Sequence, residues 1–438
     1  MVRFAAAALG LMLLAAAAAP LTAEQDHQRL LGVLHIKALR PGVSGDPKAP
    51  NPANYDEAKA NPAPALPDPL KLNDGKPVTS SDMWWQQRRQ EIADEYENEV
   101  YGRISITAPP FKWVAVSTAP EKVGKTAAVT SHLVAHVDST AQPGGFEVKM
   151  TVTLPAGKHG GVPVILLLSG GEAKPAQPST WREQVLARGW GAVVLDVTSV
   201  QADSGDGLGG GAVAMLLDGK PRGLHDMGVL RVWAWGASRV MDYFEETPAI
   251  DSGHVGIAGH SRYGKAALIA MAYDPRFAVA YVSSSGAGGA GLLRRNFGER
   301  IENLAGTGEY HWFAPQFLTY AGPKTAADLP VDAHELFALA APRPIFIGAG
   351  ANGDNWVDPK GMFMAEVAAS PVYKLLGKEG IGATAMPRTG TLLAKGALAF
   401  RQHEQGHTME PNWPFFLNFA QKYLQPPKTP PKAPKKGK

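Results

Sequence analysis

Apolar residues along this chain change their spacing near residue 162. Beyond that point they fall in short continuous runs: "VPVILLLS", "GWGAVVLDV", "HVGIAG", "FAVAYVSSS" and "RPIFIGAG". Unbroken runs of this length predict strands covered on both faces, as in a parallel sheet. The stretches between them have helical periodicity, with Trp233, Ala237, Val240, Met241 and Phe244 on one face, and Ala267, Ile269, Ala270 and Tyr273 approximately on another. Strand alternating with helix predicts an α/β fold, doubly wound and mainly parallel, with helices on both faces. Upstream, alternating segments around 112–118, 128–137 and 146–154 predict an N-terminal antiparallel extension. "SSDMWWQQRRQEIADEYENEVYG" predicts a helix capped by Ser80 or Ser81, with Trp85, Arg89, Ile92 and Tyr96 sharing a face. Residues 41–79, rich in Pro, Asn and Asp, are expected to wrap the surface with little regular structure.

The two ends read differently. Residues 1–23 carry Arg3, a short apolar run and then small residues, the three parts of a secretory signal. The expected catalytic unit is a single domain over 24–424, located in the periplasm or secreted, with no membrane span once the signal is removed. Residues 425–438 read as a solvated Pro/Lys tail. Five of the chain's 43 basic residues lie in that tail, and Arg3 would leave with the signal. Removing those six leaves 37 basic against 40 acidic residues, so the pI of 8.8 does not describe the body. No basic stripe or nucleic-acid motif appears, and no nucleic-acid partner is expected. The absence of cysteine excludes disulfides, a thiol nucleophile and Cys-type zinc sites.

The candidate chemistry begins at "GHSRYGKA", directly after an apolar run. A sharp strand-to-helix turn exposes its central hydroxyl, making Ser261 a candidate nucleophile, although the spacing is G-x-S-x-x-G instead of the usual G-x-S-x-G. The alternative is a serine that merely caps the next helix. A nucleophile needs an acid and then a histidine further along. "LAFRQHEQGHTMEPNWPFF" offers His407, behind Gly406, as the preferred base, with His403 as the alternative. "RPIFIGAGANGDNWVDPKG" offers Asp354 as the preferred acid and Asp358, ahead of Pro359, as the alternative. Arg262 and Lys265 are cations in the first turn of a helix, where the macrodipole disfavours them. Charge developing on a tetrahedral oxyanion, or a polar substrate, would give them a purpose.

These residues bear a resemblance to a family. "GHSRYGKA" resembles the bacterial glucuronoyl esterases, the fifteenth family of carbohydrate esterases. The similarity continues through "LPDPLKLNDGKPVTSSDMWWQQRRQEI", "EVYGR", "WAWGASRVMDYFE", "SSGAGGAGLLRRNFGERIEN", "YHWFAPQF" and "DNWVDPKG", over roughly residues 60–424. It implies an α/β-hydrolase that uses no cofactor or metal. The implied reaction is cleavage of the ester between 4-O-methyl-glucuronic acid of xylan and lignin alcohols. It also implies Ser261 as nucleophile, His407 as base and Arg262 as oxyanion stabiliser, with Lys265, Glu299 and Trp356 on the glucuronate. Many members carry the triad Glu where this chain has Ser284, in "SSSGAGG". Some use the later Asp, so the inferred triad is Ser261, Asp354 and His407, with Ser284 nearly silent in the chemical step. The substrate is thus expected to be glucuronoxylan or a lignin–carbohydrate ester, acted on by a monomer. The rival readings are an acetyl-xylan or general carboxylesterase, and a glycan-binding hydrolase homologue that lost its acid at Ser284.

Overall fold

The computed structural model describes residues 20–104, 111–157, 160–171 and 180–425. Most of the expected signal and the tail from residue 426 onward lie outside the described residues. Among the described residues ten strands form one sheet in the order β1-β2-β3-β5-β4-β6-β7-β8-β10-β9. β1 (Trp113–Val123), β2 (Thr126–Val137) and β3 (Phe146–Pro155) are the antiparallel extension, with β3 antiparallel to β5 (Gly191–Asp196). β5, β4 (Val162–Ser169), β6 (Ile250–His260), β7 (Phe277–Ser283), β8 (Ile345–Gly350) and β10 (Leu398–His403) run parallel, and β9 (Leu392–Leu393) closes the far edge antiparallel.

Strand alternation divides the core in two. Val164, Leu166 and Leu168 of β4 join one cluster with the helices Val229–Glu245 and Arg262–Tyr273. Ile165 points the other way, into a smaller cluster with Trp181, Trp413, Phe416 and Leu417. A strand with apolar residues on both sides must read as a continuous run, which is why periodicity alone located these strands. The face expected on Val229–Glu245 is buried throughout, Trp233 to Phe244.

The helix after Ser80 departs from expectation. Ser80 does cap it, accepting from the Met83 amide at 3.2 Å. The helix then widens into a π turn over Trp84–Arg88 before resuming as Arg89–Glu99. A π turn holds an extra residue, which shifts the inward face by one position. Trp84 is fully buried and Trp85 is half exposed, the reverse of the 3.6-residue reading, while Ile92 and Tyr96 are buried as expected.

At the N-terminal end, Thr22 caps the helix Ala23–Val33 and accepts from the Gln25 amide, immediately ahead of the expected signal boundary. The wrap at 41–79 has a few isolated bridges and tethers to the loops of the catalytic face. Asn61 N donates to Arg295 O at 2.8 Å, and Gly298 N donates to Asn54 O at 3.0 Å. Among the described residues no helix is long and apolar enough to cross a membrane.

One buried group opposes this packing. Glu366, on the helix Pro359–Leu375, is fully buried, with no side-chain partner for its carboxyl and only the Ala399 backbone to offset the burial. Burial holds its pKa well above 4.5, so the folded chain keeps it protonated. The unfolded chain releases that proton as pH rises past about 4.5, so folding loses stability with rising pH until the folded group titrates. Glu366→Met is therefore expected to raise the melting temperature more at pH 8 than at pH 4, measured by thermal unfolding at both.

Candidate active site

Ser261 follows β6 and precedes the helix Arg262–Tyr273, with φ 56° and ψ −129°. A non-glycine residue held there stores about 1–3 kcal/mol, which the surroundings must enforce. Its amide donates to Ser283 O on β7 at 2.8 Å. Glycine is required at 259, where a Cβ would stand 2.1 Å from Tyr263 O, and is favoured at 264, where a Cβ would lie a tight 3.0 Å from Ser283 O. The displaced second glycine of the motif therefore still serves the turn. Ser261 makes no side-chain cap to the helix, so the simple capping role does not occupy its hydroxyl.

Asp354 and His407 come from the loops after β8 and β10, neighbouring strands of the sheet. Those loops are stapled together: Ala351 N donates to His403 O at 2.8 Å and to Gln405 O at 3.0 Å. A Cβ on Gly350 would meet Gly406 O at 2.3 Å, so glycine permits this approach. His407 Nδ1 lies 2.7 Å from Asp354 Oδ1, which leaves Nε2 as the free ring nitrogen. The other carboxylate oxygen accepts from the Gly350 amide and from the Ser284 hydroxyl, each at 2.7 Å. Burial works against the Asp354 charge, yet bonds from His407, Gly350 and Ser284 outweigh it and hold the pKa below its ordinary value.

The alternatives separate on geometry. His403 is buried, with Nε2 on Thr408 O at 2.9 Å and Nδ1 accepting from the Gln405 amide at 3.1 Å, so both ring nitrogens are occupied by the loop. Asp358 accepts from Arg295 Nε at 2.8 Å and from the Gly361 amide at 2.9 Å, capping the helix Pro359–Leu375. Ser284 is not an isolated serine in the acid's place. Its hydroxyl donates to Asp354 at 2.7 Å, which gives a residue expected to be nearly silent a modest supporting role. Ser284→Ala is expected to lower kcat a few-fold, because Asp354 loses one of its donors, on the order of 1 kcal/mol. A kinetic comparison with the parent protein checks this.

Lys265, Glu299 and Trp356 converge. Lys265 is buried, and its ammonium donates to Glu299 Oε2 at 2.9 Å and to the Ala287 carbonyl. The Trp356 indole N–H donates to Glu299 Oε1 at 3.2 Å. The loops bearing Glu299 and Trp356 touch at Gly298, where a Cβ would lie 2.3 Å from Trp356 O. Arg295 pairs with Asp358 and Glu57, leaving Glu299 to Lys265.

Arg262 lies beside the elbow, half exposed, with its guanidinium 4.9 Å from the Trp312 ring centroid and donating to Asp203 Oδ2 at 2.8 Å. Asp203 also accepts from Trp312 Nε1 at 2.7 Å and faces His311 Nε2 at 3.1 Å. Burial pushes its pKa up, but these three partners draw it down to about 2, keeping a fixed negative charge that aims Arg262. The sequence reading missed Asp203 and Trp312, together with Glu309. Glu309 Oε2 is buried without a partner, and burial followed by repulsion from Glu299 raises its pKa to about 7. "YHWF" lay inside a quoted block, yet nothing in the spacing joined Trp312 to Arg262. Among the described residues no group of three or more His, Asp or Glu is placed to hold a metal ion.

Comparison with known proteins identifies the family. The family model "Glucuronyl esterase, fungi" matches residues 137–377. The chain is 30% identical over 411 residues to "Carbohydrate esterase MZ0003" from an unknown prokaryotic organism, covering 86% of this chain and 93% of that protein. It is 32% identical to a "4-O-methyl-glucuronoyl methylesterase" of Schizophyllum commune, covering 72% of this chain and 74% of that one. Among solved structures, a CE15 glucuronoyl esterase from Teredinibacter turnerae superposes with a TM-score of 0.86 at 43% identity, over 92% of this chain and 99% of the other. A glucuronoyl esterase from Solibacter usitatus gives 0.76 at 33%, over 84% and 100%. With a family model spanning more than half its length and relatives at 30% identity or more matched over 72–92% of it, the chain belongs to the glucuronoyl esterases of carbohydrate esterase family 15.

Proposed function

We propose that the protein hydrolyses the ester joining (4-O-methyl-)glucuronic acid of xylan to lignin alcohols, outside the cytoplasm, through Ser261, His407 and Asp354. The observation that carries this reading is the pairing of Asp354 with His407 Nδ1 at 2.7 Å, on loops at the carboxyl ends of parallel strands, as the elbow is. With Nδ1 held, Nε2 takes the Ser261 proton as Oγ attacks the ester carbonyl. Arg262 and backbone amides receive the charge that develops on the carbonyl oxygen. The C–O bond to the alcohol then breaks, and His407 returns the proton to the departing oxygen. Water, deprotonated by the same imidazole, cleaves the glucuronoyl ester of Ser261 and restores both groups.

The sugar half of the substrate accounts for the second cluster. Lys265 and Glu299 present a donor and an acceptor to ring hydroxyls, Trp356 offers an apolar ring face, and Glu309 has a free carboxyl oxygen. A simple acetyl esterase has no use for this group. Rapid quenching of a glucuronate ester reaction, followed by peptide mass analysis, is expected to find a glucuronoyl increment on the Ser261 peptide. An increment elsewhere, or none during active turnover, contradicts the covalent route.

Arg262→Ala is expected to reduce kcat by about 10²–10³, the usual effect of removing one oxyanion donor, with little change in KM. A rise in KM at unchanged kcat would reassign Arg262 to ground-state binding. Glu299→Gln is expected to do the opposite, raising KM for glucuronate esters while sparing acetate esters, because it meets the sugar and not His407.

A further inference from the structure

His260 immediately precedes the nucleophile and takes no part in the mechanism above, yet it is built into the site. It is the last residue of β6 and pairs in register with Ser283, the last residue of β7. Its Nδ1 lies 3.1 Å from the Ser283 hydroxyl, which is fully buried. Its ring centroid lies 4.3 Å from that of His407, with the planes inclined at 48°. The elbow and the loop bearing the base come from strands separated by β7 and β8. This imidazole is therefore a direct contact between the residue next to the nucleophile and the base.

We propose that His260 is a positioning residue: wedged between Ser283 and the His407 ring, it sets the base in register with Ser261. The proposal rests on the reading of His407 as the base. Asp354 fixes one edge of the His407 ring, but a single hydrogen bond leaves the ring free to swing about it. Packing from His260 limits that swing, and the Ser283 hydroxyl limits His260 in turn. The role requires a neutral ring, because His407 becomes a cation when it takes the serine proton. The titratable groups whose charge acts most on His260 are the His407 ring packed against it, the Asp354 carboxylate and the His403 ring. Burial, with repulsion from His407 added, outweighs attraction to Asp354 and lowers the His260 pKa to about 4, so it does not compete for the charge.

The test compares His260→Ala, His260→Phe and His260→Asn on benzyl glucuronate, with a melting temperature and an organophosphonate titration of Ser261 for each. His260→Ala is expected to lose about 10²-fold in kcat per titrated site at near-constant KM, as misplacement of a catalytic group does. The second-order rate of Ser261 phosphonylation is expected to fall in step. His260→Phe, which keeps the packing, and His260→Asn, which keeps a polar atom near the Nδ1 position, are each expected to recover part of the loss. If the alanine variant does not fold, the other two carry the test with intermediate kcat values. The proposal is overturned if kcat per titrated site is unchanged, or if only KM rises. It is also overturned if activity follows melting temperature with no recovery in the Phe or Asn variant. His407→Ala run alongside separates the two ideas: full activity there would remove the base itself, whatever His260 does.

Discussion

Ser261→Ala is expected to abolish ester turnover, with a fall in kcat on the order of a million-fold, while the melting temperature stays near the parent value. The rate follows from removing the only atom that attacks the carbonyl; single removal of a serine nucleophile has effects of this size. The stability follows from the local structure. The turn is enforced by the Ser283 carbonyl and by the glycine approaches at 259 and 264, none of which involves the Ser261 hydroxyl. Turnover of a chromogenic glucuronate ester with thermal unfolding of the same sample decides it. Near-native turnover in a folded Ser261→Ala protein would remove the nucleophile assignment.

The second large effect is expected at the acid. Asp354→Asn keeps the shape of the side chain but removes the charge that stabilises protonated His407, and it can hold the imidazole in the wrong tautomer. A loss of roughly 10⁴ in kcat is expected, the scale found when a triad aspartate becomes an amide. Asp358→Asn is expected to act through stability, because Asp358 is bound to Arg295 and the Gly361 amide. Measuring kcat and melting temperature for both variants separates the roles. A fully active Asp354→Asn enzyme beside an inactive Asp358→Asn enzyme would transfer the acid's role to Asp358.

How much of this was legible in the sequence depended on how local each feature is. β4 to β8 could be read because a strand covered on both faces must be apolar throughout, and the elbow could be read because its glycines surround one serine. The candidates His407 and Asp354 came from chain order, behind the apolar runs that form β10 and β8. The Trp84/Trp85 reversal was not legible, since a π turn breaks the period on which the face was assigned. Asp203 is 59 residues from Arg262, and only folding brings them together. Ser284 was read by comparison with a missing glutamate, and its hydroxyl bond to Asp354 depends on the register of β7 with β8. Glu309 and His260 likewise gain significance only from what packs against them.

The central claim is that this fold and site hydrolyse glucuronate esters in particular. The most direct measurement is benzyl alcohol release from benzyl glucuronate and from benzyl acetate by the same preparation, with Ser261→Ala as control. The account predicts a much larger kcat/KM on the glucuronate ester, abolished in Ser261→Ala and reduced toward the acetate level by Glu299→Gln. Equal kcat/KM on the two esters, or a preference for acetate, would contradict it.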